Sequence, residues 1–386
     1  MLTPLMHERE LRLGGWMPFG RCVKEMKWFC GIDVSKSQVR EATEAAGAGY
    51  VAMQSAEAEN IARTALGVTK AETPELLSMN VDGSMVQLVN GNWVEVKTMV
   101  ISEVNPRSNK AKDKASEVQS SNHSYFSRTM EAKNYINAAL VESERRGVLN
   151  CERVCAVTDG AEWIQTFISA HRPDAIRILD FYHAAEYLAK AGQAFYGEGD
   201  PKFKGWYDKQ RHELRHGEAD KVMKALETMA NDKQSTEIVK VKIEESIGYL
   251  KPRLAMIQYA QFDALGYPVG SGAGEACHTY VIQQRMKQTG MRWAKDNVNS
   301  MVALRNMICN DRWDEGMSQL VDWHYEQARL RSAAKHTKKQ ASAAAIAAAQ
   351  PKPTEPPLLS PDFKLRPSTP WRDQPVGKAK LNSALR

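Results

Sequence analysis

Three acidic residues stand in contexts that suit metal-assisted phosphoryl chemistry. Asp82 lies in Val-Asp-Gly near the end of a strand-like run, Asp159 follows RVCAVT and again precedes glycine, and Glu275 opens a helical stretch behind the loop GSGAG. Three carboxylates brought together repel one another unless a cation joins them. Mg²⁺ suits such a set, because it takes oxygen ligands, keeps waters and shares its shell with substrate phosphates; Mn²⁺ is expected to substitute. Two such ions ~4 Å apart would activate a water or a 3′-OH and stabilise the leaving oxygen of a phosphodiester. An Asp-Gly pair alone is more often a plain turn, so the elements carrying the acids decide the question.

Those elements alternate in period. LLSMNVDGSMVQLV and NWVEVKTMVISEV repeat every two residues around Asn90-Gly91, the signature of a hairpin. A helix (RTMEAKNYINAALVESERRG, ended by Gly147), the strand RVCAVT, a helix (AEWIQTFISAHR, stopped at Pro173) and a strand AIRILDFYH follow. This order predicts an α/β fold with an RNase H-like core, a mixed sheet flanked by helices, over residues 76–183 and again over 264–330. Residues 184–263 read as helical and charged, without a strand candidate, and predict an α-helical insertion. In an RNase H-like sheet, carboxylates at adjacent strand ends and on a neighbouring helix converge on one site.

Ahead of the core, residues 21–70 suggest a helix-turn-helix-like segment. RCVKEMKWFC is followed by a turn at Gly31 and a second helix, SKSQVREATEAAG, expected to close at Gly47, with Asp33 a turn residue. Lys36, Gln38 and Arg40 would then face a DNA major groove. Residues 1–20 read as a short leader. Downstream of Glu275, residues 276–295 hold no acid but carry Arg285, Lys287, Arg292 and Lys295, a set suited to a phosphate backbone or to a solvated helix face. Trp163 and Trp293 could stack on unpaired bases, with core packing the commoner role for such residues.

The net charge of +6 over 386 residues is unevenly spread. Residues 331–386 carry 11 basic and three acidic residues, or +8, and the rest of the chain carries −2. That segment holds eight of the 16 prolines and is expected to be a disordered basic tail. No apolar run approaches the roughly 18 residues of a membrane span, and the six scattered cysteines match no zinc spacing, which argues for reduced thiols in the cytoplasm.

The ordered set VDGSM, VTDGAEWI, DFYHAAEYL, GYPVGSGAGEACHTYVIQQRMKQTGMRW and the late PWR resembles the DDE transposases of bacterial insertion sequences, particularly the ISKra-four-type family. The resemblance implies that Asp82, Asp159 and Glu275 are the catalytic, metal-binding acids for two Mg²⁺ ions. The Asp180-x-x-His183 step looks like an auxiliary element seen in several such superfamilies, positioned to orient DNA or the metal shell, although a packed histidine at a strand end is an equal alternative. It also implies cleavage at element ends and strand transfer to target DNA by a homo-oligomer on double-stranded DNA, at the nucleoid. Two alternatives fit the same residues: a shortened, inactive DNA-binding relative, and an RNase H-like nuclease without strand transfer.

Overall fold

Alternation of side chains builds the first two strands as expected, β1 (Leu76–Gln87) and β2 (Trp93–Asn105), paired antiparallel from Leu77↔Glu103 to Gln87↔Trp93. Gly91, with φ of 84°, supplies the left-handed residue their turn requires. In the computed structural model, which describes residues 2–63, 74–105, 118–270, 272 and 277–349, these strands belong to a five-stranded mixed sheet. Its order is β3-β2-β1-β4-β5, with β4 (Arg153–Thr158) and β5 (Ile176–Leu179) parallel to β1.

The third strand, β3 (Gln119–Arg128), is an addition to the sequence reading. Its segment, QSSNHSYFSR, is too polar to register as a strand, yet Ser124, Ser127 and Arg128 are buried along with Tyr125 and Phe126. The Arg128 guanidinium lies over the Phe126 ring and donates to Gln54 and to the Ser127 carbonyl, which is how a buried cation is accommodated here. The last strand is shorter than expected, because Asp180 ends it by capping the next helix.

Each sheet face carries its own core. Leu77, Met79 and Val81 of β1 point to one side, against α4 (Ala132–Ala138) and α6 (Glu162–His171), where Tyr135, Ile164 and Phe167 are buried. The expected single helix over 128–147 is instead two short ones, α4 and α5 (Leu140–Arg145). On the other face, Cys155, Val157 and Ile178 pack against the helical insertion: α7 (Phe181–Tyr196), α8 (Pro201–His216), α9 (Ala219–Ala230), α10 (Glu237–Leu250), a 3-10 turn over Lys251–Met256 and α11 (Tyr259–Ala264). Between Leu76 and Val86 the even-numbered residues of β1, Ser78, Asn80, Asp82 and Ser84, are polar and share one face of the strand. A polar stripe facing a helical layer needs partners or a function.

The amino-terminal elements depart from expectation in two ways. Residues expected to be a leader contain α1 (Pro4–Trp16), started by Thr3, whose side chain accepts from Met6 N, and placing Leu11 in the core. After α2 (Phe19–Cys30) and its left-handed cap at Gly31, α3 runs from Lys36 to Arg63, well past Gly47. Gly47 does not stop the helix; it permits contact, since a Cβ there would lie 2.2 Å from the Ser300 carbonyl oxygen. Ser300 belongs to α12 (Lys295–Cys309), which is buried over most of its length.

After α12, α13 spans Trp313–Ala349. The chain divides into a unit ending at Tyr325 and a second beginning at Glu326. Residues 331–349, expected to be disordered, are helical: the run ASAAAIAAA combines the strongest helix former with few breakers. The rest of the expected tail, 350–386, lies outside the described residues. No helix among the described residues is long and apolar enough to cross a membrane.

Candidate active site

Neighbouring parallel strands lead to the two acids. Leu76, Leu77 and Ser78 of β1 pair with Arg153, Val154 and Cys155 of β4, where the backbone pairing ends; Asp82 lies four residues further along β1 and Asp159 directly follows Thr158, the last residue of β4. The Asn80 side chain bridges the two strands between these points, its Oδ1 accepting from Val157 N at 3.0 Å and from Ser78 Oγ at 3.0 Å. Asp82 and Asp159 both line one small cavity of about 20 Å³, room for a single water-sized guest, together with Thr98, Thr158, His183 and Cys277.

Each carboxylate is held by backbone on one oxygen. Asp82 Oδ1 accepts from Gly83 N at 2.7 Å, and Asp159 Oδ1 accepts from Ala161 N at 2.9 Å. The second oxygen of Asp82 lies 3.0 Å from His278 Nε2. Burial pushes the Asp82 carboxyl up, but the His278 hydrogen bond and charge, the Gly83 N–H and the His183 charge outweigh it and hold the group below its usual value. His278 is buried, and its Nδ1 has no partner among the described residues. It begins a π-helical turn, His278–Gln283, at the head of the segment that ends at Met286.

The loop carrying Asp159 is clamped by the insertion. Tyr249, at the end of α10, donates its hydroxyl to the Asp159 carbonyl, and Arg253 donates to the Gly160 carbonyl at 3.0 Å and to the Tyr249 carbonyl at 2.8 Å. Tyr249 stacks on Tyr187 of α7 with ring centroids 3.7 Å apart, and the Arg253 guanidinium covers its other partner surface at 4.2 Å. Gly160, with φ of 78°, leaves room for Arg253, whose Nε would lie 2.7 Å from a Cβ. Neither Tyr249 nor Arg253 carries a local sequence signal; they act on a residue some 90 positions away. His278 did have one, standing three residues after Glu275 in GEACH.

The remaining expected site residues divide clearly. His183 reaches the cavity from the first turn of α7. Asp180, the other half of the auxiliary pair, is 1% exposed and caps α7, its Oδ1 accepting from Tyr182 N at 2.7 Å and His183 N at 3.1 Å, so its effect on the cavity passes through His183's position. Glu275 lies outside the described residues. Lys287 is exposed, its Nζ 3.5 Å from Ser84 Oγ, two positions beyond Asp82 on the same face of β1. Arg292 and Lys295 are exposed.

Arg285 corrects the sequence reading. It is 1% exposed, donates Nε and Nη2 to the Gly14 carbonyl at 3.0 and 2.9 Å, and lies over the Phe19 and Trp293 rings. Burial lowers its pKa to about 10, and it holds α1 and α2 to the core, out of reach of DNA. Trp293 is likewise buried, its indole donating to the Met286 carbonyl at 3.0 Å, and Trp163 packs against Tyr135 with Lys97 over its ring. At the amino-terminal segment, Lys36 and Arg40 are exposed, Arg40 pairing with Glu41, and Gln38 donates to the buried Glu10 at 3.3 Å.

Among the described residues no group of three or more His, Cys, Asp and Glu is arranged as a metal cage. The donor set at the cavity fits Mg²⁺ in its chemistry: two carboxylates on neighbouring strands, each with one oxygen fixed by a backbone N–H, suit an ion that takes one or two carboxylates and keeps its waters. A family model for the uncharacterised protein family UPF0236 matches residues 19–324, most of the chain, and the chain belongs to that family. No curated protein matches it.

Proposed function

We propose that this member of the UPF0236 family is a DDE transposase that cleaves insertion-sequence ends and joins them to target DNA. The observation that carries the proposal is the pair of acids, Asp82 within β1 and Asp159 just past the adjacent parallel strand β4, lining one cavity. The strand order, three antiparallel strands followed by two parallel ones with β1 in the centre, supports an RNase H-like reading of the sheet. Glu275, opening the stretch before His278, is the third acid on sequence grounds.

Asp82, Asp159 and Glu275 would hold two Mg²⁺ ions, which when bound activate the attacking oxygen and stabilise the leaving one. The residues of this chain do the rest. His278 and the Gly83 N–H orient the Asp82 carboxylate. Tyr249 and Arg253 fix the backbone from which Asp159 projects. Lys287, beside Ser84, and the exposed Arg292 and Lys295 offer cations to the phosphates flanking the scissile bond. Lys36 and Arg40 on α3, with Gln38 fixed by Glu10, offer a surface for reading element ends. Because two ends react together, a homo-oligomer on double-stranded DNA is the working form.

The test uses a supercoiled plasmid bearing the genomic flanks of the coding region. Asp82→Ala, Asp159→Ala and Glu275→Ala should each reduce Mg²⁺- or Mn²⁺-dependent strand cleavage at least about a hundredfold, with thermal midpoints retained. Unaltered cleavage in Asp159→Ala would overturn the assignment. Joining of a pre-cleaved 3′-OH end to a second plasmid separates a transposase from a nuclease.

A further inference from the structure

A second, larger cavity adjoins the acids on the same face of the sheet. It measures about 650 Å³ and shares Asn80 with the small cavity that holds Asp82 and Asp159. Its floor is the polar stripe of the sheet, Ser78, Asn80 and Ser102; its wall is α8 of the insertion; Tyr182 and Tyr267 close one side.

The walls present polar groups with no partner. Ser102 is fully buried, yet its hydroxyl bonds to nothing among the described residues. Arg215 spends Nη2 on Asp263 at 3.0 Å, while Nη1 is buried and unpaired. A buried guanidinium N–H and a hydroxyl left without partners cost free energy unless a ligand or water accepts from them. Both seek an oxygen acceptor, and Arg211, one turn earlier on α8, adds an exposed cation over the Phe181 ring. Two acids share the lining: Asp263, already taken by Arg215 Nη2, and Asp208, seven residues before Arg215 and about 10 Å away along the helix, so an incoming anion is left Arg211 and the free Nη1 edge of Arg215.

Cation and aromatic together select the ligand class. Tyr182 is 63% exposed at the edge of this cavity, its ring meeting Phe181 edge to face at 5.9 Å and otherwise open, one residue before His183 of the catalytic cavity. Guanidinium groups take phosphate oxygens and an uncovered ring takes a base. The volume, about 650 Å³, matches a single small-molecule ligand. We propose that this cavity seats one unstacked nucleotide of a single strand, its phosphate on Arg211 and Arg215 and its base against Tyr182. The identification of that strand with the one being cleaved rests on the transposase reading; the nucleotide site itself does not.

Fluorescence anisotropy tests it with the full chain, a fluorescein-labelled oligothymidylate and no divalent metal. Arg211→Ala and Tyr182→Ala, both exposed and so free of folding risk, should each weaken binding about tenfold with thermal midpoints unchanged. Thymidine monophosphate or inorganic phosphate should compete far less well than the unlabelled oligonucleotide, and both substitutions should leave binding to a blunt duplex unchanged. Unchanged oligonucleotide affinity in both variants overturns the site, as does an equal loss of duplex binding; equal competition by the monophosphate overturns a strand as its occupant. Cleavage by Asp159→Ala and oligonucleotide binding by Tyr182→Ala are read separately, so either reading can fail alone.

Discussion

Single side chains do most of their work here through what surrounds them. Asp180 follows the end of β5 and caps a helix, whereas Asp82, in the middle of β1, lines a cavity with a histidine on its second oxygen. His171 gives the clearest residue-scale consequence. Its Nε2 lies 3.0 Å from the Ile136 carbonyl, which can only accept, so Nε2 carries the proton and Nδ1 accepts from Ser143 Oγ at 2.7 Å. The ring stacks on Phe167 and is buried, which lowers its pKa from 6.5 to about 4. The unfolded chain therefore takes up a proton that the folded chain refuses between those values. The stabilisation is fully present above pH 6.5 and is lost as pH falls towards 4, on the order of 3 kcal/mol in total. Denaturant midpoints measured from pH 7 to pH 4.5 should fall more steeply for the native chain than for His171→Gln; parallel curves would refute the attribution.

At the scale of elements, packing overrules local propensity. Gly47, after an apolar-periodic run, reads in the sequence as a helix end. The helix continues because the absent side chain lets α3 approach the backbone of α12 at Ser300. Alanine at position 47 should cost about 1–3 kcal/mol despite its better helix propensity, since a backbone carbonyl cannot step aside. Gly205, inside α8 with nothing near its Cβ direction, is the control: Gly205→Ala should stabilise by about 0.5–1 kcal/mol. Thermal melts moving in the same direction for both variants would disprove this account. The insertion follows the same logic, for α10 is tied to the Asp159 loop by Tyr249 as well as packed on the sheet.

Across the whole molecule, charge and topology carry different information. The +6 net charge comes from a carboxyl-terminal stretch of +8 on a remainder of −2, so the sum says little about the site. Residues 350–386 carry seven basic and three acidic residues; truncation before 350 should weaken binding to non-specific duplex and flatten its log–log salt dependence by up to about four units, measured by anisotropy across a salt series. An unchanged slope would remove the tail from DNA binding. The amino-acid sequence by itself determined the alternation of β1 and β2, the strands β4 and β5 with the helix between them, the helical character of 184–263 and the placing of Asp159 just past the end of β4, because periodicity and turn chemistry are properties of neighbouring residues; Asp82, expected near a strand end, lies in the middle of β1. The sequence did not reveal β3, whose polar strand is stabilised by burial, nor the buried Arg285. Only the tertiary structure decided that His183 and His278 meet Asp82, the latter across 196 positions, and that Tyr249 reaches Asp159 across 90. Such contacts exist only once the sheet has closed and the helices have packed on it, so no local pattern of residues encodes them.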